Sequence, residues 1–163
     1  MYYNQSLSVS TSGEVFAMKF AEKKLNTNRK IILDIGGNKG EWTKIALEIF
    51  SNVSIFIFEP SSKLKNHLDN LFKNNRNVTF IAHGVSNKKG SLKLYNSGEL
   101  IGTSFPKKLE DEYEEISVLS VDEFCTANQI IEIDYMKIDV EGNEYKVLLG
   151  SETFLKSKRI KFI

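Results

Sequence analysis

One cysteine, two prolines and two histidines in 163 residues set aside several kinds of protein at once. Cys125 has no second thiol to pair with, so no internal disulfide holds the fold; beside Phe124 in a predicted helix it reads as a small core residue, not a nucleophile. No apolar run reaches the length of a membrane span, and Met1-Tyr2-Tyr3-Asn4-Gln5 lacks the basic start and apolar centre of a secretory leader. A cytoplasmic location with no membrane partner is expected. Charge is as sparing: 22 basic against 21 acidic residues leave a net +1, which offers no general pull on nucleic acid. Internal repeats, low-complexity tracts and linkers are missing too. What remains is ordinary globular usage, 41% hydrophobic and 26% charged, in a chain long enough for one sizeable core. A single domain over 1–163 is expected, with a helical segment at 1–29 and a core from 30 onward.

The most informative stretch is Ile31-Ile32-Leu33-Asp34-Ile35-Gly36-Gly37-Asn38-Lys39-Gly40. An aliphatic run with a single acid suggests a strand buried on both faces, as in the middle of a parallel sheet. The glycines after it let the backbone approach a ligand with no Cβ in the way. A helix beginning near Glu41 follows, with Trp42, Ile45, Ala46, Ile49 and Phe50 spaced for one apolar face. Strand, turn and helix make the first half of a βαβ unit that cradles a nucleotide cofactor. A dinucleotide fingerprint requires G-x-G-x-x-G, whereas these glycines stand at 36, 37 and 40, so the spacing argues against NAD.

A second strand, Ser54 to Phe58, ends in Glu59-Pro60, and Glu59 stands where a ribose-binding acid belongs. A carboxylate accepts two hydrogen bonds and so can grip a vicinal diol. The plainer reading of Glu59 is an acid favoured by a helix start, which Pro60 would begin with its fixed φ. The rest of the chain alternates. Thr11 and Glu14 read as a capping box for a helix through Val15, Phe16, Met18, Lys19 and Phe20 that covers the start of the sheet. Leu64, Leu68, Leu71 and Phe72 line one face of another helix, and Val78 to Ile81 form a third strand. Ser91 to Tyr95 alternates like a half-exposed strand, with Glu115 to Leu119 as its candidate neighbour and a long polar loop between. Ser120 and Glu123 form a second capping box; Tyr135 to Ile138 is the fourth strand, Asp139 to Gly142 a turn, and a helix from Asn143 ends at Gly150 in a left-handed role. Lys158 to Ile163 is the fifth strand. Alternating strands and helices predict an α/β, doubly wound, mainly parallel Rossmann-like sheet with helices on both faces.

Three strings in order, Asp34-Ile35-Gly36-Gly37-Asn38-Lys39-Gly40, Phe58-Glu59-Pro60 and Met136-Lys137-Ile138-Asp139-Val140-Glu141-Gly142-Asn143-Glu144, resemble the FkbM family of S-adenosylmethionine-dependent methyltransferases. The similarity runs from about Glu14 to the last residue. Gly84-Val85-Ser86-Asn87-Lys88-Lys89-Gly90 and Leu119-Ser120-Val121-Asp122-Glu123-Phe124 add family-like landmarks. Gly37 and Gly84 stand where the family more often has Ala, which should leave room in the site. Family members also run on past the strand at Lys158, so the class I sheet is expected to be truncated there, with a homodimer covering its edge.

The resemblance implies S-adenosylmethionine as cofactor and, as the methyl acceptor, a hydroxyl on a saccharide or small-molecule natural product. In an open α/β sheet ligands bind beyond the carboxyl ends of the strands, where the singled-out acids gather. Gly36, Gly37, Asn38 and Gly40 would offer N–H groups to the cofactor's carboxylate, Glu59 would take the ribose, Asp34 would reach the ammonium of the tail, and Gly84 and Ser86 would line the site. Asp139 and Glu141 are the candidate bases, with helix capping as their plainer role. The same carboxylates could bind a divalent ion, although no metal site is predicted. His83, His67, Trp42 and Phe58 read as packing or surface residues, and Thr103-Ser104-Phe105 as a weak substrate contact. The rival from another class is a catalytically inactive cofactor-binding or interaction module.

Overall fold

The protein, seen in a computed structural model, is described over residues 13–97, 100–103 and 113–163. In chain order the elements are α1 (Gly13–Lys24), β1 (Lys30–Ile35), α2 (Glu41–Ile49), β2 (Val53–Phe58), α3 (Ser62–Phe72), β3 (Val78–Ile81), β4 (Gly84–Val85), β5 (Gly90–Ser97), β6 (Leu100–Thr103), β7 (Tyr113–Leu119), α4 (Val121–Ala127), β8 (Tyr135–Ile138), α5 (Glu144–Leu149) and α6 (Glu152–Lys156). Among the described residues no helix is long and apolar enough to cross a membrane.

The main sheet runs β3-β2-β1-β8, all parallel, with Asp34 opposite Ile57 on one side and Lys137 on the other. Its strands are aliphatic because both faces are covered. On one face Ile32, Val53 and Ile55 pack with Met18, Trp42 and Ala46 of α1 and α2, and Ile57 packs with Leu64, Leu68 and Phe72 of α3. On the other, Leu33, Ile35, Phe58 and Met136 pack with Phe124, Val147 and Phe154 of α4, α5 and α6. This is the expected doubly wound, Rossmann-like arrangement. Sequence neighbours lie to one side of β1 and β8 to the other, so the switch point falls between the carboxyl ends of β1 and β8.

A second sheet, β4-β7-β5-β6, stands beside the first. The pairing of Ser91–Tyr95 with the strand before Ser120 is as expected, antiparallel, with Leu92 opposite Ile116. Part of the long polar segment is strand: β6 turns back on the end of β5. Thr103 closes β6, while Ser104 and Phe105 lie outside the described residues, as does Thr11 of the first capping box.

Four expectations need correction. Pro60 precedes α3 rather than opening it, because Ser61 in extended backbone is the N-cap. Phe16 of α1 is 75% exposed, so the buried stripe of that helix is Met18 and Ala21. Gly150 is right-handed, with φ −73°; it is glycine because a Cβ there would fall 2.1 Å from the Ser86 carbonyl oxygen. Residues 158–163, expected as a fifth strand, lie beside β8 but make an isolated parallel bridge, Ile133 to Ile160, in place of a regular strand.

Candidate active site

The glycine turn is held by a small set of backbone bonds. Gly36 and Gly37 both donate N–H to the Phe58 carbonyl, at 3.0 and 2.9 Å, and Gly40 donates to Gly37 at 2.8 Å. Gly36 has φ 85°, and a Cβ on it would lie 1.8 Å from the Asp139 carbonyl oxygen, so β1 and β8 can end this close together only with glycine there. Asn38 takes a left-handed φ of 47°. Its N–H meets Glu59 Oε2 at 2.9 Å, while Glu59 Oε1 accepts from Ser61 N–H at 2.9 Å. Glu59 is thus clamped by one backbone donor on each oxygen. Burial pushes its carboxyl above the ordinary range, against the pull of those two bonds and of the Lys137 charge.

Two cavities flank the turn. A cleft of about 90 Å³ opens between the strand ends and the second sheet; Glu59 and Glu141 stand in it and Leu92, Leu94, Ile116 and Val118 supply an apolar wall. A larger cavity, about 350 Å³, opens toward α2 and is lined by Gly37, Lys39, Glu41, Trp42 and Lys137 among others. Gly36, Asn38 and Asp139 line both, and so mark the junction.

The structure therefore gathers Gly36, Gly37, Asn38, Glu59, Gly84, Asp139 and Glu141 at one place. It does not bring Asp34, Gly40 or Ser86 to either cavity. Asp34 is fully buried: Oδ2 accepts from Thr43 Oγ1 at 2.6 Å, and Oδ1 forms an ion pair with Lys137 Nζ at 3.2 Å whose geometry falls short of a hydrogen bond. Gly40 caps α2 at φ 78°, where a Cβ would meet the Phe72 ring at 2.8 Å; it lets α2 sit against α3. Ser86 is 2% exposed and its N–H donates to the Leu119 carbonyl, because the chain after β4 is tied to the end of β7. Nor does glycine at 37 leave room. A Cβ there would lie 2.2 Å from Ile57 Cγ1, so the space is filled by a core side chain. The amides of Gly36, Gly37, Asn38 and Gly40 are likewise occupied within the protein, which leaves the first N–H groups of α2 as the donors facing a ligand.

Asp139 is exposed, with Lys137 Nζ 3.7 Å from its Oδ2. Glu141 is exposed at φ 50°, a left-handed conformation that a side chain adopts at a cost, next to Gly142 at φ 100°. Glu144, one turn on, accepts from Val140 and Gly142 N–H, so it rather than Glu141 ties the turn to α5. Trp42 and Phe58 are core residues, 4% and 1% exposed, that each present an edge to a cavity. His67 Nε2 lies 3.2 Å from the Lys39 carbonyl oxygen, and His83 lines neither cavity. Among the described residues no cluster of three or more His, Cys, Asp or Glu has metal-binding geometry.

Sequence reasoning overlooked Lys137. Its ammonium, on a side chain only 12% exposed, donates to the Gly36 carbonyl at 2.6 Å and faces Asp34 and Asp139. The signal was there: a lysine within one buried strand and an aspartate within another, each the single charge in its aliphatic run.

Comparison with solved structures finds weak, partial likeness. A precorrin-6y C5,15-methyltransferase from Geobacter metallireducens GS-15 aligns at 16% identity and TM-score 0.35, over 49% of this chain and 43% of that one. PRMT6 aligns at 16% identity and TM-score 0.35, over 47% of this chain and 23% of that one. The aligned part is thus less than half of either of those chains. No curated protein matches. The match to a protein family is of another order: residues 34–163, from the buried aspartate of β1 through both cavities to the last residue, fit the methyltransferase FkbM domain. By that match, which takes in the glycine turn, Glu59 and the Asp139–Glu141 turn alike, the chain belongs to the FkbM methyltransferase family.

Proposed function

We propose that this domain transfers a methyl group from S-adenosylmethionine to a hydroxyl of a saccharide or small-molecule natural product. The observation that carries the reading is Glu59, fixed by two backbone N–H groups at the tip of β2 inside a cleft whose far wall is apolar. Such a carboxylate has lone pairs left for a ribose diol, and Leu92, Leu94, Ile116 and Val118 offer a flat apolar surface for a base. The donor set fits this cofactor. Nicotinamide dinucleotides are disfavoured because glycines at 36, 37 and 40 lack the G-x-G-x-x-G spacing of a dinucleotide turn.

When bound, the cofactor supplies a methyl group already activated by positive sulfur. The protein's work is alignment and proton removal. The larger cavity, with the N-terminus of α2 and both acidic and basic side chains, suits an amino-acid zwitterion, and the cleft suits the nucleoside. The junction of the two is then the reacting centre. Asp139 lines both cavities and is the candidate base for the acceptor hydroxyl; Glu141, in the cleft alone, orients the acceptor. Asp34 supports the site from behind through Lys137 rather than by contact.

Calorimetric titration with S-adenosylhomocysteine, and with NAD as control, tests the reading. Micromolar binding of the first and none of the second is expected. A folded chain that binds neither would overturn it and favour an interaction module.

A further inference from the structure

An ammonium in a sheet interior is costly unless its partners are close and well placed. Lys137 has three: the Gly36 carbonyl at 2.6 Å, Asp34 at 3.2 Å and Asp139 at 3.7 Å. If neutralising Asp34 were its whole task, the pair could be sealed inside the sheet. Instead the lysine reaches the wall of the larger cavity, and two of its partners, Gly36 and Asp139, belong to the junction between cavities. Asp139 has a side chain 68% exposed, and among the described residues Lys137 is its one ionic partner. Without the lysine, no ion pair among the described residues orients that carboxylate.

We propose that Lys137 is a positioning residue for the transfer site: it sets Gly36 and Asp139 at the junction where the amino-acid end of the cofactor meets the acceptor hydroxyl, and Asp34 acts through it. The inference rests on the cofactor reading above. It makes the site separable. The nucleoside end depends on Glu59, which is held by two backbone donors, Asn38 and Ser61, and feels Lys137 and Asp34 only through opposed charges that the paired substitution removes together. The amino-acid end depends on the lysine.

Two probes read the halves apart, since S-adenosylhomocysteine carries both ends and 5′-methylthioadenosine lacks the amino-acid end. Lys137→Met alone would strand the buried Asp34 charge, so the working variant is Asp34→Asn/Lys137→Met, with its fold checked by circular dichroism. Loss of a charge-assisted contact worth about 1.5–3 kcal/mol corresponds to roughly tenfold to a hundredfold weaker S-adenosylhomocysteine binding. Affinity for 5′-methylthioadenosine should stay unchanged. A second variant, Asp34→Asn/Lys137→Cys, should bind S-adenosylhomocysteine weakly and recover after alkylation with 2-bromoethylamine, which rebuilds the ammonium facing Gly36 and Asp139; fully buried Cys125 is protected. Wild-type affinity for both probes in the folded double variant would overturn the proposal, as would an equal loss for both. If the wild-type chain binds neither probe, the cofactor reading fails and takes this inference with it.

Discussion

Glu59 joins a role in the fold to the ribose role proposed for it, because its two oxygens are anchored by backbone donors while it remains on the cleft wall. Glu59→Ala should weaken S-adenosylhomocysteine binding by about 1–3 kcal/mol through lost charged hydrogen bonds, with an unchanged circular dichroism spectrum. Equal affinity in the folded variant would remove the ribose assignment. Its pH signature has a definite sign. Burial raises the carboxyl's pKa in the folded state, so Glu59 contributes stability at low pH and loses it as pH rises through that raised value. Glycines make an equally sharp residue-scale test. Gly37→Ala drives a Cβ into Ile57 at 2.2 Å and should cost about 1–3 kcal/mol by overpacking, whereas exposed Gly13→Ala meets nothing within 4 Å and should gain about 0.4–1 kcal/mol. Urea denaturation of the two variants reads opposite signs, or the packing argument is wrong.

Among the elements, β8 pairs with β1 along its length, and Asp134 just before it adds side-chain bonds to β1, to Thr27 and to the segment after β8. This buried acid accepts from Thr27 Oγ1, the Ile31 N–H and Lys161 Nζ, at 2.9, 2.8 and 3.0 Å. Asp134→Asn should lower stability by about 1–3 kcal/mol in the same denaturation assay. At the start of α4 the Ser120–Glu123 box is complete in both directions, and bonds from Ser120 lower the Glu123 pKa. Here the sign is reversed: that stability is present above the unfolded pKa and lost as pH falls through the lowered one. Glu123→Gln should therefore flatten the acid limb of a plot of Tm against pH. Elements of this kind were legible in sequence because they are local, either a Ser and Glu three apart or an aliphatic run after a turn. The box at Ser120, the four strands of the main sheet and the Asp139–Gly142 turn all read correctly. Gly150 did not, because it is required by the approach of the Ser86 carbonyl, a contact between segments far apart in the chain. Lys137 escaped similarly, since its meaning lies in Asp34 on the next strand.

At the scale of the molecule the cleft exists because two sheets meet over it, and the second sheet was the least legible part. Its members are a two-residue strand, a half-exposed hairpin and a strand beyond a long polar segment, none with a strong pattern of its own. Among the fastenings between the sheets' neighbourhoods, Glu114 of β7 accepts from the N–H and hydroxyl of Ser62 at the start of α3. Glu114→Ala should speed amide hydrogen exchange in β7 while leaving β1 and β2 protected; uniform exchange across both sheets would show the fastening to be idle. The Gly36 carbonyl and the Lys137 ammonium that meet where the two cavities join lie 101 residues apart in the chain. Parallel pairing over such a separation forms slowly, because loop closure must precede any reward from contact. On a growing polypeptide, therefore, β1, β2 and β3 can assemble long before β8 arrives, and the ability to bind a ligand is acquired only as the final third of the chain docks.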